Sequence, residues 1–251
     1  MSLNIQRRLL EYLLARTAEL RVEDVRIGLG YSAVKLDNGH AGLAWTPRRT
    51  DGGCTHLHTA GTLTGKPASE MLSGLVEENA ILRALGVATA NALLAGSPNP
   101  GATNVNALEP AKISPACHVA MVGYFGPLVK ELQEVGCQLD IIELDSTRPG
   151  VLSPEEGKRV LACCDVAILT GTSLITGTLD NLMASLGTPR SVILLGPSAP
   201  LCPKVFADTP LTQVSGARVL DCDGVLRVVS EGGGTPLLKK YVAFETLLLN
   251  G

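Results

Sequence analysis

Four short apolar segments in the second half of the chain each run into a loop of small residues. They are HVAMVG (118–123), DVAILTG (165–171), SVILLG (191–196) and LRVVS (226–230) with the following EGGGTP. Helical patterns at 127–136, 153–164 and 178–187 and one more apolar strand, QLDIIELD (138–145), alternate with the first three. Near-continuous apolar strands that alternate with helices are typical of a parallel sheet covered on both faces. We therefore predict an α/β protein in which residues 117–251 form a parallel sheet with helices on both faces, and a closing helix at 237–249.

The first part of the chain has a different order of elements. Apolar residues at helical spacing over 3–20 precede a strand at 22–36, a DNG turn at 37–39 and a return strand at 40–47. A polar loop (48–67) leads to a helical stretch at 68–95, which Gly86 is a candidate to divide. We predict a small N-terminal α+β domain over residues 1–96, built as helix, hairpin and helix. The Pro-, Asn- and Ser-rich segment 97–116 is then a linker.

Composition limits the classes of partner. The 251 residues carry a net charge of -3 and only 3% aromatic residues, which argues against a nucleic-acid partner. No apolar stretch approaches the roughly 18 residues of a membrane span, so no membrane partner is expected. Seven cysteines without a signal peptide are typical of reduced thiols, so we expect a cytoplasmic protein. These features are compatible with a homo-oligomer.

The loops after the predicted strands indicate where a ligand would bind, because open parallel sheets bind ligands beyond the carboxyl ends of their strands. Gly123 and Gly126 open a predicted helix at Pro127, and helix N-termini suit phosphate or carboxylate groups. Glu143 and Asp145 follow about 20 residues later, where dinucleotide folds place an acid on a ribose. The full G-x-G-x-x-G pattern is absent, so a purely structural turn is the alternative.

Hydroxyl groups and further glycines extend this predicted site. GTSLITGT can surround an anion with hydroxyl and backbone N–H groups, or can use its hydroxyls to cap the next helix. Three successive glycines at 232–234 indicate close approach to a ligand or to another backbone. The predicted ligand-binding residues are Gly123, Gly126, Glu143, Asp145, Gly171, Thr172, Thr176, Thr178, Gly196, Ser198, Gly232, Gly233 and Gly234.

The segment CTHLH is the one candidate for metal coordination. Cys54, His56 and His58 occur at every second residue, so in an extended segment they would share one face. Two imidazoles and a thiolate suit zinc, copper or nickel. A polar loop with ordinary histidines is the alternative, because three such closely spaced ligands do not easily complete a tetrahedral site. A transition-metal ion is therefore the candidate cofactor.

The combination of GYSAVKL, AGLAW, AGTLTGKPASEML and LGVATANAL with VAMVGYFGPLV, DVAILTGTSLITGTLDNLM and ILLGPSAPL resembles the heavy-metal-chelation family. The resemblance covers nearly the whole chain. It implies an N-terminal domain similar to the enolase N-terminal fold, a Rossmann-like C-terminal domain and a ligand site in the cleft between them.

Three hypotheses for function follow. The first is a metal-handling protein that binds a transition metal or a small metal chelate in the interdomain cleft. The second is an enzyme that binds a small anionic, nucleotide-like or pterin-like molecule at the strand ends. The third is a ligand sensor without catalysis. No Ser–His–Asp arrangement, G-x-S-x-G elbow or Walker loop assigns a reaction.

Overall fold

Two β-sheets organise the chain. The computed structural model describes residues 4–48, 56–97, 101–103, 106–145 and 148–249. We call residues 4–97 the N-terminal unit and residues 101–249 the C-terminal unit. The first contains a three-stranded antiparallel sheet and the second a seven-stranded, mostly parallel sheet. The structure therefore confirms the predicted α/β class and the Rossmann-like sheet.

The N-terminal unit begins with a helix and ends with a longer one. Its elements are α1 (Ile5–Leu14), β1 (Val22–Ile27), β2 (Tyr31–Leu36), β3 (Ala41–Trp45), α2 (Ala68–Ser73) and α3 (Ala80–Ala95). The strands pair in the order β1-β2-β3. Val34, Leu36 and Ala44 share a hydrophobic cluster with residues of α3, whereas Ala33 and Leu43 point to another cluster on the opposite face. The small sheet is thus covered on both faces.

The C-terminal unit alternates strands and helices. Its elements are β4 (Ala102–Thr103), β5 (His118–Val122), α4 (Gly126–Val135), β6 (Gln138–Ile142), α5 (Pro154–Cys163), β7 (Val166–Thr170), α6 (Ser173–Thr176), α7 (Leu179–Ala184), β8 (Ser191–Leu195), α8 (Pro203–Phe206), β9 (Gln213–Val219), α9 (Cys222–Ser230), α10 (Thr235–Leu238) and β10 (Val242–Leu248). The sheet order is β4-β10-β9-β8-β7-β5-β6. Strands β5 to β9 are parallel, and β10 is antiparallel to both β9 and β4.

Both faces of the parallel sheet are buried, as its apolar strands predict. Val119 and Met121 of β5 pack with Leu132 of α4 on one face. Ala120 of β5 packs with Leu161 of α5 in the large cluster on the other face. That large cluster also includes residues of α1, α2 and α3, so the two units share one core. None of the helices that the structure describes is long and apolar enough to cross a membrane.

Two boundaries in the N-terminal unit differ from the prediction. The strand predicted over 22–36 is two strands, separated by a turn at Gly28 to Gly30. The helical stretch 68–95 divides at 77–79, where the Asn79 side chain accepts hydrogen bonds from the N–H groups of Ile81 and Leu82. Gly86 lies inside α3, at the crossing of α3 with the 3-10 turn Gly74–Val76. A Cβ atom on Gly86 would lie 2.3 Å from the Leu75 nitrogen.

Two predictions in the C-terminal unit are wrong. LRVVS (226–230) belongs to α9, not to a strand. Asp221 caps this helix by accepting from the Gly224 N–H at 2.9 Å, and its apolar residues Val225 and Val229 are spaced to fill one buried face. The predicted closing helix is β10 instead. It pairs with β9 over its whole length, and its Val, Phe and Thr side chains suit a strand.

Candidate functional site

The strand order creates a topological switch point between β5 and β7. The chain leaves β5 for β6 on one side and continues to β7 on the other, so the loops after β5 and β7 diverge. Crevices of this kind hold ligands in doubly wound sheets. The predicted residues that follow β5, β7 and β8, and so lie at this carboxyl edge, are Gly123, Gly126, Gly171, Thr172, Gly196 and Ser198.

Gly123 fills a position that excludes other residues. Its φ is +94°, and a Cβ atom there would lie 2.9 Å from the Thr170 Cβ. The Phe125 ring then approaches both neighbouring glycines. Its Cε2 atom lies 3.5 Å from the Cβ position of Gly123, and its Cε1 atom lies 3.7 Å from that of Gly196. An aromatic ring therefore spans the space between the ends of β5 and β8.

The first turn of α4 faces this edge with uncapped N–H groups. No side chain caps the helix at Phe125. In the part of the chain that the structure describes, no acceptor is found for the N–H groups of Gly126 and Leu128. The guanidinium of Arg148 lies 3.9 Å from the centroid of the Tyr124 ring, which itself contacts Gly126. Both features favour an anion.

The two predicted acids follow β6, the neighbour of β5. Glu143 is half-buried, and its N–H donates to the Leu152 carbonyl at 3.1 Å, which continues the pairing beyond the strand. Asp145 is exposed. Their contact with a ribose stays a prediction.

The hydroxyl groups of the 170–178 loop bond mainly to each other and to the loop backbone. The Oγ1 atoms of Thr170 and Thr172 are 3.0 Å apart, and those of Thr176 and Thr178 are 2.9 Å apart. The same segment forms α6, whose carbonyls accept from the N-terminal unit. Arg83 Nε donates to the Ile175 carbonyl at 2.5 Å. The loop therefore connects the two units, and the hydrogen bonds of its hydroxyl groups stabilise the conformation of the loop.

The loop after β8 also joins the two units. Ser198 is 2% exposed, and its Oγ accepts a hydrogen bond from the Trp45 N–H of β3 at 2.8 Å. Asn91 of α3 donates through Nδ2 to the Leu43 carbonyl at 2.8 Å and to the Pro197 carbonyl at 3.4 Å. Gly171 packs against this loop so closely that a Cβ atom would lie 2.6 Å from the Ala199 nitrogen.

The glycines at 232–234 follow a helix, so they do not lie at the end of a sheet strand. They pack against the turn between β1 and β2. A Cβ atom on Gly30 would lie 3.1 Å from the Gly233 carbonyl oxygen, and Gly232 contacts Leu29. The Tyr31 and Thr235 hydroxyls share a hydrogen bond of 2.7 Å nearby. The sequence left open whether these glycines approach a ligand or another backbone. The structure shows close approach to another backbone.

His56 and His58 are exposed and lie close together. Their ring centroids are 4.7 Å apart at an interplanar angle of 85°. Cys54 lies outside the described residues. Among the residues that the structure does describe, no group of three or more His, Cys, Asp or Glu side chains could hold a metal ion. The histidine pair thus offers two nitrogen ligands at most.

A cavity of about 370 Å³ opens between the two units, and we call it the interunit cavity. One wall comes from α1, the turn after it and the end of α3. The other comes from the segment before and within α8 and from β9 and β10. Its lining residues are Tyr12, Arg16, Asn91, Leu94, Ala95, Ser97, Leu201, Cys202, Pro203, Lys204, Ala217, Arg218 and Glu245.

Three cations and one carboxylate line the interunit cavity. Glu245 is 1% exposed, and Arg218 binds it through Nε at 2.8 Å and through Nη2. Arg16 donates to the Ser97 Oγ at 2.5 Å and to the Tyr12 hydroxyl at 3.1 Å. Lys204 is exposed at the rim. Because three cations face one carboxylate that is already bonded to Arg218, the cavity has an excess of positive charge.

The one cysteine in the cavity lining is 2% exposed. Burial raises the pKa of the Cys202 thiol above its ordinary value. The neutral thiol is therefore favoured at neutral pH, and Cys202 acts as a packing residue unless a strong ligand displaces its proton.

The sequence predicted a cleft between the two domains, but none of the predicted ligand-binding residues lines the interunit cavity, and Arg16, Lys204, Arg218 and Glu245 were not predicted. Arg218 and Glu245 meet only because β10 pairs with β9, and the prediction of a helix at 237–249 hid that pairing. The segment VAFETL, in which apolar residues alternate around a single Glu, was the sequence signal for this strand.

The fold and the cavity define a two-unit α/β protein with a doubly wound sheet and a ligand-sized space between its units. Two family models, both described as "Putative heavy-metal chelation", match residues 10–94 and 106–248. The chain belongs to this family, the DUF364 family, as its sequence motifs predict.

Proteins from archaea and bacteria are similar to this chain over nearly its whole length. An uncharacterised protein of Methanocaldococcus jannaschii is 25% identical over 241 residues, which are 94% of this chain and 93% of that protein. A DUF364 protein of unknown function from Pyrococcus horikoshii superposes with a TM-score of 0.84 at 19% identity, covering 97% of this chain and 99% of the other. One from Desulfitobacterium hafniense has a TM-score of 0.79 at 21% identity, covering 96% and 98%. These likenesses establish the fold.

Proposed function

We propose that the protein handles heavy metal as a small anionic chelate, with the organic chelator held in the interunit cavity. The observation that carries this proposal is the excess of cationic side chains around a space of about 370 Å³. Ligand pockets for small molecules range from about 300 to 1,000 Å³, so a polycarboxylate chelator fits. A cleft lined by charges of one sign attracts a ligand of the opposite charge.

The donor set favours a chelate over a bare ion. A bare transition metal needs several imidazole, thiolate or carboxylate ligands. In the cavity the carboxylate is bonded to Arg218, and the thiol of Cys202 is held neutral. A chelator supplies these ligands itself, and the protein then needs only to recognise its negative charge. The metal is cargo in this proposal, and the family description supports its presence.

Calorimetric titration with citrate, alone and as its Zn²⁺ and Fe³⁺ complexes, tests the proposal. We expect the double variant Arg16→Ala/Lys204→Ala to weaken binding at least about tenfold, because charged hydrogen bonds contribute about 1.5–3 kcal/mol each. Binding should also weaken with added salt. Lys158→Ala is the matched control, since Lys158 lies on α5 and pairs with exposed Glu155.

The same titrations separate chelate binding from direct coordination by the CTHLH loop. If the double variant His56→Ala/His58→Ala loses metal while Arg16→Ala/Lys204→Ala retains it, direct coordination by the loop is correct and the cavity proposal is not. The spacing of Cys54, His56 and His58 and the paired histidine rings support that alternative. If neither citrate nor its complexes bind the unmodified protein, the chelate proposal must be abandoned.

A second candidate function is an enzyme or sensor that binds a nucleotide-like or pterin-like anion at the carboxyl edge of the sheet. The uncapped first turn of α4 beside Arg148 supports it. ATP and pterin-6-carboxylate are the probes. We expect a bound probe to raise the melting temperature of the protein. In the Arg148→Ala variant, the apparent affinity for the probe should fall at least about tenfold, equivalent to about 1.4 kcal/mol. No shift with either probe at millimolar concentration argues against it.

A further inference from the structure

Two thiols lie at the amino-terminal edge of the seven-stranded sheet, away from the sites described above. Cys117 immediately precedes β5 and Cys137 immediately precedes β6. These strands are parallel, with His118 paired to Gln138, and the Gln138 N–H donates to the Cys117 carbonyl at 3.0 Å. Carrying the register back by one residue sets Cys117 opposite Cys137.

The two side chains share one face of the sheet. Cys117 belongs to the same hydrophobic cluster as Val119 and Met121, and Cys137 packs against that cluster together with Leu139. Paired residues on adjacent strands lie about 4.8 Å apart, inside the Cα–Cα range of about 4.4–6.8 Å that disulfides adopt. Both cysteines are free thiols in this structure.

Three donors surround the sulfur of Cys117. The N–H and Oγ of Ser114 lie 3.3 and 3.4 Å from Sγ, and Nη2 of Arg190 lies 3.2 Å from it. The Arg190 guanidinium is itself held by the Ala111 carbonyl at 2.5 Å and the Lys112 carbonyl at 3.2 Å. An anchored cation and two hydrogen-bond donors are the surroundings that stabilise a thiolate.

The two thiols differ in their ionisation. Hydrogen bonds from Ser114, and then the hydrogen bond and charge of Arg190, lower the pKa of Cys117. Burial raises the pKa of Cys137, and the neighbouring Cys117 adds to that rise. Cys117 is thus suited to attack an oxidant as a thiolate, and Cys137 is suited to react in the next step as a neutral thiol.

We propose that Cys117 is a peroxide-sensitive thiol and that Cys137 resolves its oxidised form, so that a reversible disulfide joins the amino ends of β5 and β6. The Cys117 thiolate attacks one oxygen of hydrogen peroxide. The O–O bond breaks, and hydroxide leaves and combines with the proton that the Cys117 thiol released on ionisation to form water, so that Cys117 becomes a sulfenic acid. The Cys137 sulfur then displaces the sulfenic hydroxyl, which leaves as water with the Cys137 proton. Peroxide is reduced by two electrons and the dithiol is oxidised to the disulfide.

Cys163 is the internal comparison, because it is exposed whereas Cys117 is only 8% exposed. The Cys163 thiol donates to the Arg159 and Val160 carbonyls of α5. Within the described residues no donor is directed at its sulfur. Reaction in order of exposure would therefore oxidise Cys163 first, whereas reaction in order of thiolate stabilisation would oxidise Cys117 first.

The test is exposure of the reduced full-length protein to stoichiometric hydrogen peroxide, with each cysteine quantified by peptide mass spectrometry. We expect Cys117 to react at least about ten times faster than Cys163, because the hydrogen bonds from Ser114 and Arg190 stabilise its thiolate. A cross-linked peptide containing Cys117 and Cys137 should appear and should vanish on reduction with dithiothreitol. The rate should fall as pH drops below the lowered pKa of Cys117.

Two variants complete the test. Cys137→Ser should leave a dimedone-reactive sulfenic acid on Cys117, and Ser114→Ala should slow the reaction of Cys117 without changing that of Cys163. Oxidation of Cys163 ahead of Cys117, or loss of the Cys117 thiol without the Cys117–Cys137 peptide, would overturn the proposal.

Discussion

Replacing Gly86 by alanine should destabilise the protein by about 3 kcal/mol, although helix propensity alone predicts stabilisation of about 1 kcal/mol. The new Cβ atom would lie 2.3 Å from the Leu75 nitrogen and 2.8 Å from the Gly74 carbonyl carbon. Both are backbone atoms of the 3-10 turn Gly74–Val76, so no side-chain rotation removes the clash. α3 would have to move from the turn, and the shared core would lose contacts with it.

Urea unfolding at neutral pH measures this effect through the midpoint and the slope of the transition. Gly126→Ala is the matched control. It lies at the first position of α4, where a Cβ atom would meet only the Tyr124 ring at 3.7 Å. We expect the control to change stability by less than about 1 kcal/mol. Equal stability of the Gly86→Ala and Gly126→Ala variants would contradict the close approach of α3 to this turn.

This contrast shows how far sequence reasoning reaches. Periodicity and turn residues describe local structure, and they predicted β5, α4, β6, α5, β7 and β8 correctly. The pattern around Gly86 carries no information about which backbone approaches it, so the glycine looked like a helix break. The same holds for Gly232 to Gly234, where the partner is a turn that lies about 200 residues earlier in the chain.

The candidate site was less predictable than the fold because its residues come together through tertiary contacts. The switch point follows from strand order, and the glycines at the strand ends therefore belong to one edge, as predicted. Arg16 and Lys204 are ordinary charged residues in the sequence. They acquire a shared environment only when the turn after α1 meets the segment that begins α8. No local sequence pattern predicts the contact between these two segments.

Replacing Arg218 by methionine should cost about 3 kcal/mol, the largest loss we expect from breaking an ion pair among the described residues. Glu245 is 1% exposed, so its carboxylate has lost most of its hydration, and the hydrogen-bonded Arg218 guanidinium compensates part of that loss. Methionine retains the apolar stem of the side chain and removes only the charge and its hydrogen bonds. The measurement is the free energy of unfolding in urea at neutral pH.

The double variant Arg218→Met/Glu245→Gln tests whether the loss comes from the ion pair. Glutamine removes the buried charge, so adding it to Arg218→Met should recover part of the stability. Glu245→Gln alone should cost less than Arg218→Met, because the Arg218 side chain is 34% exposed and retains contact with water. Strict additivity of the two single changes would mean that these residues do not interact. Non-additivity of about 1 kcal/mol or more instead would show that the ion pair couples β9 to β10 in the wall of the interunit cavity, whose lining also contains Arg16 and Lys204.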